Sequence, residues 1–168
     1  MALNLPIRTE RLVLRRLRDD DRTRFLEYRN DPETARHQGW PVPYTATLAD
    51  ELFAEMTTAA AWRVGEWFQI AIEHDAVLVG DLGVRADVDH AVVGYTLHPE
   101  ARGRGFATEA VRAIAGAVPV PVLVATVEPG NRASMRVLER AGFVRQPEPV
   151  DGEIAYKLAI EGVATFGP

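Results

Sequence analysis

The chain is 168 residues long, 47% of them hydrophobic and 26% charged, which predicts one globular domain over residues 1–168 with a sizeable core. A formal net charge of −5 argues against a nucleic-acid partner and suits a cationic or amine substrate. The chain contains no cysteine, which excludes disulfides, thiolate metal ligands and an acyl-cysteine intermediate. No apolar stretch approaches the length of a membrane span and no signal-peptide pattern opens the chain, so we expect a cytoplasmic protein without a membrane partner.

The first third of the chain carries one strand signal and two helix signals. Three aspartates at 19–21 place carboxylates where the positive end of a helix dipole would begin, and Phe25 and Leu26 would face inward from that helix. Asp31-Pro32 would stop or redirect it. The predicted elements are a strand over about 10–17, a helix from 19 to 31, an irregular loop over 38–46 and a helix over about 47–60.

The rest of the chain is richer in strand signals. An almost unbroken apolar run over 120–127 predicts a strand buried on both faces. Asn131 would cap a helix that ends at Gly142. The predicted elements are strands over about 68–72, 77–84, 91–97, 120–127, 143–146 and 152–158, with helices over about 106–118 and 131–140. This order suits an α+β domain with a mixed sheet.

The segment between the strand that ends at Leu97 and the helix that begins near Phe106 predicts a phosphate site. Glycines at 103 and 105 allow a sharp turn and a close approach of the backbone to a ligand. The first amides of the helix have no intrahelical acceptor, and arginines at 102 and 104 add positive charge. We therefore expect residues 102–108 to bind a phosphorylated ligand. The contributing residues are Arg102, Gly103, Arg104, Gly105, Phe106, Ala107 and Thr108.

Two other interpretations of this segment are weaker. A Gly-x-Gly turn before a helix can be an ordinary loop. A dinucleotide fingerprint would need a third glycine where Thr108 stands, although Glu128 lies near the expected acidic position. Several residues also separate the glycines from the preceding strand, so we rank a dinucleotide-binding domain lower.

Four motifs together resemble one family. They are residues 9–15 (Thr-Glu-Arg-Leu-Val-Leu-Arg), 93–100 (Val-Gly-Tyr-Thr-Leu-His-Pro-Glu), the Arg-x-x-Gly-x-Ala pattern over 102–107, and 131–143 (Asn-Arg-Ala-Ser-Met-Arg-Val-Leu-Glu-Arg-Ala-Gly-Phe). The chain is identified by them as a member of the GNAT N-acetyltransferases, in the ribosomal-protein (RimJ/RimL-like) branch. The resemblance implies a mixed, mostly antiparallel seven-stranded sheet with about four flanking helices, split between strands 4 and 5. It also implies acetyl-coenzyme A (acetyl-CoA) as co-substrate and no metal.

The resemblance assigns roles to particular residues. Ser134, the only serine in the chain, would protonate the departing sulfur, and Asn131 would contact the pantetheine arm. A backbone amide near Leu97 would stabilise the oxyanion. The same residues also have an ordinary explanation, because Asn131 is a good helix N-cap and Ser134 would lie in the first turn. Since no cysteine exists, direct attack of the amine in a ternary complex is the expected mechanism.

The sequence leaves several choices for the general base and for the acceptor. The family often has Glu where this chain has Val92, so Asp81, His37, His90 or a water chain must substitute. The loop with Trp40 and Tyr44 would admit a primary amine, either a protein N-terminus or a small molecule. The missing carboxylate also keeps open a non-catalytic acyl-CoA-binding regulatory domain. A homodimer is equally open.

Overall fold

The sheet of the computed structural model, which describes residues 3–58 and 63–162, has eight strands among those residues, in the order β1-β2-β3-β4-β5-β6-β8-β7. The strands are β1 Ile7–Arg8, β2 Val13–Arg15, β3 Trp67–His74, β4 Val77–Ala86, β5 Ala91–Leu97, β6 Val122–Val127, β7 Val144–Arg145 and β8 Ile154–Ala159. The predicted strand over 10–17 is the shorter β2, and the additional β1 precedes it across a turn closed by Thr9 and Leu12. This additional strand raises the count from the predicted seven to eight, and the expected α+β fold is confirmed.

Five α-helices flank the sheet within the described residues. They are α1 Arg22–Asn30, α2 Pro32–Ala35, α3 Ala46–Thr58, α4 Phe106–Ala115 and α5 Arg132–Ala141. The last residues of the predicted helix over 47–60 lie outside the described residues. Asp31-Pro32 ends α1 as predicted, but it also begins α2, because proline is tolerated in a first helical turn and the Asp31 carboxylate accepts from the Thr34 amide at 2.8 Å.

The sheet opens between β5 and β6, the one parallel pair among the described strands. These strands pair only at Ala91 with Leu123 and at Val92 with Val124, while β5 continues to pair with β4 as far as Leu97. The amide of His98 donates to the carbonyl of Val79 at 2.9 Å. Because hydrogen bonds alternate between the two edges of an antiparallel strand, the amide of Leu97 faces the opening. If β1 is left out of the count, β5 and β6 are the fourth and fifth strands. This opening is therefore the split that the resemblance implies between strands 4 and 5.

Helix α4 and strand β6 pack beside the opening. Phe106, Ala110 and Ile114 of α4 are fully buried, as the helical spacing predicts. In β6, Leu123, Ala125 and Val127 are buried, but the alternate positions 122, 124 and 126 are partly or fully exposed. The prediction that this strand is buried on both faces is therefore wrong, because apolar composition does not reveal which face of a strand is covered.

Candidate active site

A cavity of about 430 Å³ lies where β5 and β6 separate. It brings together two groups of residues that the sequence predicted separately. The first group is the phosphate segment, with Arg102, Gly103 and residues 105–108 in the lining. The second group is Leu97, Asn131, Ser134 and His37.

The start of α4 forms one end of this cavity. Gly103 and Gly105 have φ values of +73° and +80°, a region that favours glycine. Gly105 is the N-cap of α4, and no side chain among the described residues caps the helix there. The first backbone hydrogen bond within the helix is donated by the amide of Glu109 to the Gly105 carbonyl at 3.1 Å. The amides of residues 106–108 thus remain open to an anion, as the sequence indicates.

The two arginines of the segment take different directions. The guanidinium of Arg102 lines the cavity and donates to Asp31 at 3.2 Å and to the hydroxyl of Thr34, so helix α2 orients it. Hydrogen bonds from Thr34, and then the charge of Arg102, hold the pKa of Asp31 below its ordinary value in spite of partial burial.

Arg104 departs from the expected role. Its guanidinium lies 4.5 Å from the centroid of the Phe106 ring and 3.2 Å from Nε2 of His74, so the side chain is drawn away from the cavity lining. Only the backbone of Arg104 belongs to the phosphate segment, and the prediction that its side chain adds charge there is not supported. Arginines 136 and 140 of α5 line the cavity instead.

Glu109 fixes the start of α4 against the first turn of the chain. Its carboxylate accepts from the Thr9 hydroxyl at 2.6 Å, the Arg11 amide at 2.9 Å and the Arg11 guanidinium at 2.7 Å. Burial favours the protonated acid, but these hydrogen bonds outweigh it and lower the pKa of Glu109. The carboxylate is therefore structural, as its position in the first helical turn predicts.

Tyr95 and Ser134 meet across the opening of the sheet. The phenol oxygen of Tyr95 lies 2.7 Å from Oγ of Ser134 and donates to the Ser134 carbonyl at 3.0 Å. Burial raises the pKa of the Tyr95 phenol strongly, and the hydrogen bond with Ser134 only partly opposes it, so the phenol stays protonated. Tyr95 was not among the predicted site residues. Its position two residues before Leu97 was the available signal, because alternate residues of a strand share a face.

Asn131 has its ordinary structural role at the start of α5. Its Oδ1 accepts from the backbone amide of Ser134 at 3.1 Å, which is an N-cap. The side chain of Ser134 is not part of this cap, because its hydroxyl is directed to Tyr95. Asn131 also lines the cavity, so capping does not exclude a contact with a ligand.

The three side chains predicted as possible bases have different surroundings. His37 lines the cavity, and its Nδ1 lies 2.6 Å from a carboxylate oxygen of Glu128. His90 pairs with Asp89 in the turn before β5, and the length of that strand separates it from Leu97 by about 20 Å. His37 therefore lies at the site, as a base must, whereas His90 does not.

Asp81 is enclosed by protein rather than open to the cavity. It is 2% exposed and accepts from the Tyr28 hydroxyl at 3.0 Å and the Arg29 guanidinium at 2.6 Å. Burial raises the pKa of Asp81, while the charge of Arg29 and the hydrogen bond from Tyr28 lower it. A carboxylate held in this way has no free side for a substrate amine, which corrects its choice as a base.

The aromatic loop is anchored on the same buried arginine. The indole nitrogen of Trp40 donates to the Arg29 carbonyl at 3.0 Å, and the guanidinium lies 3.9 Å from the centroid of the indole ring. Tyr44 packs edge-on against Trp40 with centroids 6.4 Å apart. Neither ring belongs to the described lining of the cavity.

The described residues form neither a metal-binding cluster nor a membrane-spanning helix. No group of three or more His, Cys, Asp or Glu side chains in residues 3–58 and 63–162 is arranged to hold a metal ion. Over the same residues, every helix is too short or too polar to cross a membrane.

Comparison with known proteins agrees with this geometry. The family model of the acetyltransferase (GNAT) domain matches residues 11–144. The N-acetyltransferase p20 of Bacillus licheniformis is 25% identical over 159 residues, which cover 87% of this chain and 89% of that protein. RimJ of Mycobacterium smegmatis in complex with CoA-disulfide has a TM-score of 0.71 at 23% identity, over 89% of this chain and 82% of RimJ. Spermidine N-acetyltransferase of Vibrio cholerae in complex with CoA and spermine has a TM-score of 0.73 at 15% identity, over 90% and 97%.

The opened sheet and the uncapped helix start define an N-acetyltransferase that uses acetyl-CoA to acetylate an amine. The chain belongs to the GNAT acetyltransferase family, as its motifs indicate. This membership excludes the dinucleotide-binding alternative. Gly103 and Gly105 belong to a GNAT fold, whereas a dinucleotide fingerprint requires a βαβ unit.

Proposed function

We propose that this protein acetylates a primary amine by direct attack on acetyl-CoA in a ternary complex. The contact between Tyr95 and Ser134, in one cavity with the uncapped start of α4, is the observation that carries the proposal. It puts a protonated hydroxyl pair at the end of a channel whose other end suits phosphate.

The residues of the cavity fit the parts of acetyl-CoA in order. The amides of residues 106–108 and the guanidinium of Arg102 suit the pyrophosphate. The unpaired edge of β5 beyond Val92 offers backbone groups to the amides of the pantetheine arm, and Asn131 lies on the opposite wall. The acetyl group then lies near Leu97, at the end of β5.

The chain supplies two groups for the chemistry. The amide of Leu97, which faces the opening, is placed to stabilise the negative charge that develops on the thioester oxygen. Ser134 donates a proton to the sulfur as the carbon–sulfur bond breaks, and the Tyr95 phenol holds the serine hydroxyl in position by their hydrogen bond. The proton that the nitrogen loses on becoming an amide then restores the Ser134 hydroxyl through solvent. The amine nitrogen forms the new bond to the acetyl carbon and releases its own proton.

A primary amine remains the acceptor class that the chain supports best. The net charge of −5 favours a cationic acceptor, and the Trp40 loop offers aromatic surface outside the cavity. The spermidine acetyltransferase and RimJ are similar in fold, so a polyamine-like metabolite and a protein N-terminus are the two acceptor classes to compare first.

An acceptor screen tests this proposal. Purified protein is incubated with acetyl-CoA and either spermidine, an aminoglycoside or short peptides with a free N-terminus, and released CoA thiol is measured. We expect calorimetric binding of acetyl-CoA and amine-dependent release that the Ser134→Ala variant largely lacks. Tight binding without release by any amine would instead support the non-catalytic acyl-CoA-binding domain.

A further inference from the structure

A histidine–carboxylate pair lies beside the cavity and joins two distant parts of the chain. His37 follows helix α2, and Glu128 follows strand β6, 91 positions later. Nδ1 of His37 and Oε2 of Glu128 are 2.6 Å apart, and the two side chains are 25% and 48% exposed. His37 lines the same cavity as Leu97 and Ser134. Among the described residues, it is therefore the histidine that lines this cavity.

The contact with Glu128 determines which ring nitrogen of His37 is free. A carboxylate only accepts hydrogen bonds, so the neutral imidazole keeps its proton on Nδ1. Nε2 is then left with a lone pair that can accept a proton, the arrangement in which a carboxylate orients a catalytic histidine. Partial exposure of the ring gives that proton a route to bulk water.

The acetylation reaction needs such a group in this chain. An amine attacks only when its nitrogen is neutral, and Val92 occupies a position that offers no carboxylate. Asp81 is buried and held by Arg29, and His90 lies at the other end of β5. His37 is the remaining candidate from the sequence that shares the cavity with Ser134.

We propose that His37 is the general base of the reaction and that Glu128 is its positioning residue, an inference that rests on the function proposed above. Nε2 of His37 takes a proton from the acceptor nitrogen, whose lone pair forms the bond to the acetyl carbon. The carbon–sulfur bond breaks, and the sulfur takes its proton from Ser134. The second proton that the nitrogen loses on becoming an amide restores the Ser134 hydroxyl through solvent. His37 returns the first proton to water, so that the protons and charges balance over one turnover.

Other charged and titratable groups share the cavity with His37. They are Glu33 of α2, Tyr95 of β5, Arg102, and Arg136 and Arg140 of α5. Arg102 is already paired with Asp31, and the phenol of Tyr95 stays protonated because burial raises its pKa. Glu33 is the acidic group in this set, and it would attract an ammonium towards the histidine.

A pH–rate comparison tests the pair. The rate of CoA release is measured from pH 6 to 10 for wild type, His37→Gln, Glu128→Gln and the control His90→Gln. The acceptor is spermidine or a peptide with a free N-terminus, whichever is acetylated faster. If neither is acetylated faster than water hydrolyses acetyl-CoA, the rate of hydrolysis is measured instead. His90 and Asp89 make a matched surface pair with a 2.7 Å contact.

We expect wild type and His90→Gln to reach a plateau as the base titrates. His37→Gln should lose roughly 10²-fold in kcat at neutral pH and rise without a plateau towards the pKa of the amine. Glu128→Gln should lose less, and both variants should keep the wild-type affinity for acetyl-CoA. Hydroxylamine, which is already neutral at pH 7, should be acetylated by His37→Gln with a much smaller loss than a strongly basic amine.

Two results would overturn the inference while leaving the proposed function intact. One is a wild type that acetylates amines and a His37→Gln variant with the same kcat and the same pH profile. The other is weaker acetyl-CoA binding in both variants with unchanged kcat, which would make the pair a bridge across the opening. A wild type that binds acetyl-CoA but releases no CoA with any amine or with water would refute both proposals.

Discussion

The phenol of Tyr95 on β5 and the hydroxyl of Ser134 on α5 are 2.7 Å apart, although 39 positions separate them in the chain. The pair spans the place where β5 and β6 stop pairing, so both hydroxyls are close to any ligand that enters the opening. Burial raises the pKa of the Tyr95 phenol, so it stays protonated and holds Ser134 by hydrogen bonds to its hydroxyl and carbonyl.

Ser134→Ala should lower kcat by roughly 10²-fold, because it removes the proposed proton donor to the sulfur. Stability should change little, since the amide of residue 134 keeps its cap from Asn131. Single-turnover rates and melting temperature, measured together, test both statements. Asn131→Ala is the comparison variant, which should cost about 1 kcal/mol of stability through loss of the cap. A Ser134→Ala variant with normal kcat would remove the serine from the mechanism.

Gly105→Glu should weaken acetyl-CoA binding by more than about tenfold, or about 1.4 kcal/mol. The substitution puts bulk and negative charge at the helix start where phosphate is expected, at a φ of +80°. Gly152→Glu is a matched control, because Gly152 has a φ of +84° in the turn before β8 and does not line the cavity. Calorimetry with acetyl-CoA, and with NADH as competitor, measures the effect. Equal losses in the two variants would indicate a general folding defect.

Glu109→Gln should destabilise the protein by about 1 kcal/mol at pH 7 and by less at pH 3. The folded-state pKa of Glu109 lies below the ordinary value of 4.5, so its stabilisation is present above that value and is lost as pH falls through the folded pKa. Urea unfolding at the two pH values measures the difference. Glu10→Gln, at an exposed neighbouring position, should show no such dependence. A loss for Glu109→Gln that is equal at both pH values would contradict the prediction.

Asp81→Ala should destabilise the fold by about 3–5 kcal/mol, because it leaves the charge of Arg29 buried and unpaired. Replacing both partners, as Arg29→Met with Asp81→Leu, should recover much of this loss, since a buried pair can be exchanged for apolar groups of similar volume. Denaturant unfolding measures both. If Asp81→Ala keeps full stability and loses only activity, Asp81 is a catalytic base after all.

Trp40→Ala should raise KM for the acceptor more than KM for acetyl-CoA. The indole covers Arg29 on the outer side of the site, apart from the residues that would bind phosphate. Steady-state kinetics with each substrate varied in turn measure the two constants. Trp67→Ala is a suitable control, because this exposed tryptophan lies on β3 and outside the cavity lining. Equal effects on both constants would make the loop a general cover of the domain.

Local patterns were sufficient for most elements and for the phosphate segment. The helical spacing from Phe106 to Ile114, the glycines before it and the N-cap at Asn131 each depend on neighbours within a few residues. Such features can be predicted from the sequence, because helix periodicity and backbone conformation depend on residues that are close together in the chain. Helix α2 was also encoded locally, by Asp31 and Pro32, although that pair predicted only a stop or a change of direction and not a new helix.

Tertiary structure decided which of these residues act together. The contacts of Tyr95 with Ser134 and of His37 with Glu128 join positions 39 and 91 residues apart, and no short-range pattern specifies them. Burial, likewise, turned Asp81 from a candidate base into the partner of Arg29 and left His90 in a surface turn. Residue types and spacing therefore determined the family and the phosphate-binding segment, whereas the packing of strands and helices around the opening decided the surroundings of each acid and base.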